Sequence, residues 1–167
     1  MELHNAETFA NIGLGHLDFV QDNLSKSIKG TLRGLHFQAP PYAQGKLVTV
    51  IEGSVLDVAV DIRKGSPTFG KAFVHELNDQ SREMVFVPKG FAHGFQVLSD
   101  HCLFLYKCTA TYHQASEGGL SWNDPALEIP WAEIEPIVSP KDELHPPIAD
   151  FDSPFIYQAD PKINIHS

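Results

Sequence analysis

Residues 55–62 read Val-Leu-Asp-Val-Ala-Val-Asp-Ile, and their spacing decides the fold class. Leu56, Val58, Val60 and Ile62 alternate with Asp57, Ala59 and Asp61, a period of two, not 3.6, so the segment is a β-strand. A β-branched run, Lys46 to Ile51, precedes it across Glu52-Gly53-Ser54, and the two segments are expected to form a hairpin. Further out, Met84 to Val87 is a short strand stopped by Pro88-Lys89-Gly90. Gly94 to Leu98 and Cys102 to Cys108 flank Ser99-Asp100-His101 as a second hairpin candidate. Many short strands with frequent turn signals predict an all-β domain, a sandwich or a small barrel.

The ends differ from this middle. Asn5 to Ile12 fits a short helix, with Asn5 as N-cap, Phe9 and Ile12 on one face and Gly13 as the stop. Pro125, Pro130, Pro136, Pro140, Pro146 and Pro147 forbid long regular elements, so short helical turns packed over the barrel are expected there. With no internal repeat, one domain is expected over 1–167, with a short lead-in at 1–18 and a tail at 151–167.

The chain of 167 residues carries 12 basic and 21 acidic side chains, a formal charge of -9. Such a surface repels phosphate backbones, which disfavours a nucleic-acid partner, although a few clustered cations can still dominate one pocket. No apolar run approaches the ~20 residues that span a bilayer, and Met1-Glu-Leu-His-Asn5 lacks the pattern of a secretory signal, so no membrane association is expected. Cys102 and Cys108 lie six apart on one strand face, roughly 20 Å along the chain. They cannot bridge each other, and free thiols in a cytoplasmic protein are expected.

Three segments carry chemistry-bearing side chains. In Arg33-Gly-Leu-His-Phe-Gln38, extended backbone turns Gly34, His36 and Gln38 one way and Leu35 and Phe37 the other. A polar cavity would explain an imidazole beside an amide there, and so would a solvent-facing strand. Strict alternation sets Arg33 opposite His36, so either Gly34 marks a bend or Arg33 serves another environment. Gln44-Gly-Lys46 enters a strand, where Lys46 is either a site cation or a solvated lysine. His93 sits among small residues in Pro88-Lys-Gly-Phe-Ala-His-Gly-Phe95, as a site residue or as loop decoration. Tyr106 shares a face with Phe104 and the two cysteines, and Asp57 and Asp61 face either solvent or a barrel interior. The nine histidines form no His-x-His pair, and no zinc-spaced cluster, phosphate loop or dinucleotide fingerprint occurs. Neither a catalytic metal nor a cofactor is expected.

Eight stretches together resemble one family, the dTDP-4-dehydrorhamnose 3,5-epimerases. They are Phe-Val-Gln-Asp-Asn (19–23), Leu-Arg-Gly-Leu-His-Phe-Gln (32–38), Ala-Gln-Gly-Lys-Leu-Val (43–48), Val-Leu-Asp-Val-Ala-Val-Asp-Ile-Arg (55–63), Gly-Ser-Pro-Thr-Phe-Gly (65–70), Val-Pro-Lys-Gly-Phe-Ala-His-Gly-Phe (87–95), Phe-Leu-Tyr-Lys (104–107) and Ser-Glu-Gly-Gly-Leu-Ser-Trp-Asn-Asp-Pro (116–125). The resemblance implies a metal-free, cupin-type jelly-roll β-barrel with short N- and C-terminal helical segments, a homodimer, and epimerisation at C3 and C5 of dTDP-4-dehydro-6-deoxy-D-glucose. It makes His36 the base, Asp142 its orienting carboxylate, Tyr106 the opposite-face acid and Lys46 the cation beside the enolate oxygen. Glu2, Gln21, Asp22, Asn23, Arg33, Asp57, His93, Glu117 and Lys141 are implied substrate contacts, with Tyr112 stacking on thymine.

The chemistry suits these residue types. A C–H beside a ketone is acidified because the oxygen takes up charge as an enolate; a near-neutral base removes the proton and a cation stabilises the oxygen. Inversion needs a donor on the other face. Family members usually carry ~25 more residues ahead of a Glu-x-x-Asn segment, here Glu2-Leu-His-Asn5, a strand-and-loop lead-in whose arginine helps hold the nucleotide. That arginine is missing from the match, which bears on nucleotide affinity. The alternatives are a single-carbon epimerase or keto-isomerase acting on a related nucleotide sugar, and a catalytically weak sugar-nucleotide-binding paralogue.

Overall fold

The computed structural model describes residues 3–159. Asn5 caps helix α1 (Ala6–Asn11), its side chain accepting from the Glu7 and Thr8 amides at 3.0 and 3.1 Å. Phe9 is buried as expected, but Ile12 stands 62% exposed as the C-cap, so the helix buries one apolar residue and not two.

Eight main strands follow: β1 (Gln21–Ile28), β2 (Thr31–Gln38), β3 (Lys46–Glu52), β4 (Ser54–Asp61), β5 (Ala72–Asn78), β6 (Met84–Val87), β7 (Phe91–Val97) and β8 (His101–Cys108). One sheet runs β1-β8-β3-β6 and the other β2-β7-β4-β5, with the short strand β9 (Glu117–Gly119) and the two-residue β10 (Ile137–Val138) on β2. This is the jelly-roll order, in which the chain changes sheet at nearly every turn.

That topology overturns both expected hairpins. β3 pairs with β6 and β8 whereas β4 pairs with β5 and β7; β7 and β8 likewise lie in different sheets. Glu52-Gly53-Ser54 and Ser99-Asp100-His101 are corners between sheets, and they pack on each other. Ser99 Oγ accepts from the Ser54 amide at 2.8 Å, and Asp79 Oδ2 accepts from the Gly53 amide at 2.8 Å. Gly53 has φ +86°, and a Cβ there would come within 2.2 Å of His101 O. A short turn with glycine fits a corner as well as a hairpin, so local sequence does not separate them. Of the main strands, only β4 and β5 are neighbours in both sequence and sheet.

The period-two strand has the reverse of the usual faces. Val55 packs between the sheets with Val48, Val50, Phe95, Val97 and Phe104. Asp57 and Asp61, each 1% exposed, share its side. The barrel interior is therefore partly polar. Val58, Val60 and Ile62 point outward but are 0% exposed, because Leu120, Leu127 and Phe155 pack over them with Trp131 and Phe151. Burial of such aliphatic side chains contributes about 1.5–3 kcal/mol each. The chain's own C-terminal segment covers this face.

Asp61 secures the connection after β4. It accepts from Arg63 Nε at 2.9 Å and Arg63 Nη2 at 2.6 Å, and from the Ser66 and Thr68 hydroxyls at 2.6 and 2.7 Å. After β8 come 3₁₀ turns at Gln114–Ser116, Pro125–Leu127, Asp142–Leu144 and Ile148–Asp150, as the prolines require. Cys102 and Cys108 are both buried, free thiols. No helix among the described residues is long and apolar enough to cross a membrane.

Candidate active site

A bulge in β2 aims its polar residues. Arg33 pairs with Phe95 and His36 with His93, so Gly34 and Leu35 stand opposite Gly94 alone. The extra residue reverses the alternation, and Arg33 and His36 line one cavity while Leu35 joins the outer apolar cluster. Gly34 is the bend. Its φ is +122°, and a Cβ there would lie 2.5 Å from the Gly94 Cα, so both glycines permit this contact.

Asp142 arrives from the C-terminal segment and anchors the imidazole. Its Oδ1 lies 2.7 Å from His36 Nε2, and its Oδ2 accepts from the Gly34 amide at 3.3 Å. Burial alone would push this carboxyl up, but the His36 contact, with help from Gly34 and Ser139, holds it below its usual range. Asp142 is therefore ionised at neutral pH and can only accept, so a neutral His36 carries its proton on Nε2 and keeps Nδ1 as the basic nitrogen.

The facing wall belongs to the other sheet. Lys46 on β3 and Tyr106 on β8 line the same ≈ 490 Å³ cavity as His36, and all three also line an adjoining one of ≈ 290 Å³. An imidazole and a phenol thus approach one space from opposite sheets. Burial pushes the Tyr106 phenol above its ordinary value, with a smaller push from Cys108 and an opposing pull from Arg33. It stays protonated at neutral pH and can donate. Burial lowers the Lys46 ammonium, while Cys108, Glu117 and Asp57 pull it back up. Three cations, Arg33, Lys46 and Lys141, meet here in a protein of formal charge -9.

Polar side chains ring the smaller cavity. Gln21 Nε2 donates to Asn23 Oδ1 at 2.9 Å, and Gln21 Oε1 accepts from the Tyr112 amide at 2.9 Å. The exposed Tyr112 hydroxyl donates to Glu117 Oε2 at 2.8 Å, and Lys141 Nζ pairs with the same oxygen. Burial would raise Glu117, but Lys141 and Tyr112 together hold it low. His93 lies on β7, not in a loop, and is buried; its Nε2 meets Asp57 Oδ1 at 2.8 Å, so Asp57 supports the cavity wall from behind His93.

One further predicted contact is not gathered here. Asp22 turns to the outer face and pairs with Lys107 at 2.8 Å beside the groove under α1, because strand alternation separates it from Gln21 and Asn23. Glu2 lies outside the described residues. Conversely, Ser25, Phe104 and Ser139 line the larger cavity, and His145 stands beside His36 with ring centroids 5.7 Å apart. Phe104 was legible as the same-face neighbour of Tyr106, and Ser25 follows from alternation once Gln21 and Asn23 are placed on β1. Nothing in Leu144-His-Pro-Pro147 signalled His145.

Residues 1–150 match the family model for dTDP-4-dehydrorhamnose 3,5-epimerase. The chain belongs to that family. It is 49% identical over 142 residues to the dTDP-4-dehydrorhamnose 3,5-epimerase of Shigella flexneri, covering 85% of this chain and 78% of that one. Its fold is similar to the crystal structure of the dTDP-6-deoxy-D-glucose-3,5-epimerase of Legionella pneumophila in complex with dTDP-4-keto-L-rhamnose. There the TM-score is 0.88 at 46% identity, over 95% of this chain and 85% of that chain. A 3'-monoepimerase from Streptomyces bikiniensis in complex with dTDP-quinovose matches with a TM-score of 0.82 at 34% identity, over 89% and 75%. The jelly roll expected of this epimerase family is the fold observed.

Proposed function

We propose that this protein epimerises C3 and C5 of dTDP-4-dehydro-6-deoxy-D-glucose, giving dTDP-4-dehydro-L-rhamnose. The observation that carries the reading is the opposed pair, His36 with Asp142 behind it on one sheet and protonated Tyr106 on the other. His36 Nδ1 removes the proton beside the C4 ketone, and the pair of electrons moves onto the ketone oxygen as an enolate. Lys46 stabilises that charge where it develops. Tyr106 returns a proton to the carbon from the other face, which inverts it; His36 then releases its proton to solvent, Tyr106 regains one, and the same cycle serves the second carbon. A positioned acid–base pair typically contributes ~10²–10⁴-fold.

Arg33 and Lys141 suit the diphosphate, and Tyr112, with Gln21, Asn23 and Glu117 around it, suits the base and deoxyribose. His93, held by Asp57, borders the sugar. The substrate needs no redox cofactor for this chemistry. We further propose a homodimer: Leu24 and Ile28 stand 62% and 60% exposed on the outer side of edge strand β1, a face that a second copy would cover. Two free thiols suit the cytoplasm, where we place the protein.

Incubation with dTDP-4-dehydro-6-deoxy-D-glucose in D₂O, followed by NMR, tests the assignment. Deuterium at both C3 and C5 of inverted products supports it. The monoepimerase with the same fold favours one second reading, for which deuterium enters at a single carbon. Bound substrate with no deuterium at either carbon refutes both.

A further inference from the structure

His36, Asp142 and His145 lie together more closely than acid–base work requires. One ring nitrogen from each histidine and a carboxylate oxygen all lie within 4.8 Å of one another. The His145 ring stands edge-on to His36 at an interplanar angle of 77° and lies against Gly119, where a Cβ would approach Nε2 to 2.4 Å. His145 Nε2 is enclosed and has no hydrogen-bond partner among the described residues. A buried unpaired nitrogen is the kind of group that an ion or a water satisfies.

We propose that these three side chains form an inhibitory site for a divalent first-row transition cation, zinc foremost. Two imidazoles and a carboxylate are a zinc donor set, whereas magnesium and calcium prefer oxygen ligands throughout. Zinc bonds of ~2.0–2.2 Å set tetrahedral ligand atoms roughly 3.4 Å apart. The 2.7 Å contact between His36 and Asp142 therefore opens slightly, and His145 closes toward them. The fourth position takes water.

The consequence for the base follows from its tautomer. His36 keeps its proton on Nε2, facing Asp142; ligation through Nε2 displaces that proton, and the neutral ring must then carry it on Nδ1. The nitrogen that abstracts protons is thereby occupied, with no redox change. Metal binding does not depend on the proposed reaction. Its inhibitory effect rests on that reading.

Calorimetry with zinc chloride, and initial rates at buffered free zinc, compare the wild type with His145→Phe, which keeps the ring packed on Gly119 but removes both nitrogens. One zinc is expected to bind per chain, the rate to fall about tenfold or more, and chelation by EDTA to restore it; magnesium has no such effect. His145→Phe retains its metal-free rate and needs about tenfold more zinc. Cobalt in place of zinc gives visible ligand-field bands that this variant loses. Unchanged zinc affinity in His145→Phe, or in His145→Gln should the first variant fail to fold, overturns the site. Zinc binding that depends on His145 yet leaves the rate untouched upholds the site and overturns the inhibition, and with it His36 as base.

Discussion

In an Asp142→Asn variant the side chain keeps its volume, loses its charge and gains a donor. The native carboxylate is 4% exposed, with Oδ1 2.7 Å from His36 Nε2 and Oδ2 accepting from the Gly34 amide. A hydrogen bond to an ionised partner contributes roughly 1.5–3 kcal/mol, so its loss where the imidazolium forms slows proton removal about 10–10²-fold. The amide has a second effect. If its NH₂ faces His36, Nε2 becomes an acceptor, the ring proton moves to Nδ1 and the base is blocked; a comparable tautomer error in a catalytic triad costs ~10⁴-fold. Deuterium wash-in is therefore expected to fall ~10²–10⁴-fold, equally at C3 and C5, because one base serves both. Affinity for dTDP, read by calorimetry, should change less than about threefold, since Asp142 touches the base and not the nucleotide. A thermal melt checks that the variant is folded. A loss in wash-in below about threefold, or a loss at one carbon only, refutes the dyad.

Two further perturbations test the scaffold. Asp61→Asn strips the largely covered Arg63 of its partner and weakens two hydroxyl contacts, and is expected to cost about 2–4 kcal/mol in urea unfolding at pH 7. Burial would raise Asp61, but Arg63, Ser66 and Thr68 hold it far below its ordinary 3.8, so its contribution is full above that pH and is lost as acid protonates it. The gap between wild type and variant should therefore shrink in strong acid, and a gap that widens there contradicts the account. Gly34→Ala puts a Cβ 2.5 Å from the Gly94 Cα at a φ of +122°. It should cost about 2–4 kcal/mol and displace both Arg33 and His36, whereas a variant with native stability and rate would show that the bulge does not position them.

The all-β class was legible because period-two alternation at 55–62 leaves no helical face. Which strands pair was not, since a corner between sheets and a hairpin use the same turn residues. The buried side of β4 was also ambiguous: alternation lets Asp57 and Asp61 face either solvent or the barrel interior, and only the C-terminal segment packed over Val58, Val60 and Ile62 decides for the interior. The sequence left open whether Gly34 is a bend or Arg33 serves another environment; the bend is present and brings Arg33 and His36 to one cavity. Asp142 entered only through family resemblance, because 106 residues separate it from His36 and no local pattern links them. Asp22 shows the converse: a family-like stretch places it next to Gln21, yet alternation turns it outward to Lys107. His145 has neither pattern nor motif, only proximity.

Tyr106→Phe, followed in D₂O, separates removal of a proton from its return on the far side. With the phenol gone, His36 can still take and give back hydrogen on its own face. Deuterium is expected to keep entering C3 and C5 near the wild-type rate while L-rhamno product falls ~10²-fold or more. Equal loss of wash-in and inversion would contradict two groups acting from opposite walls.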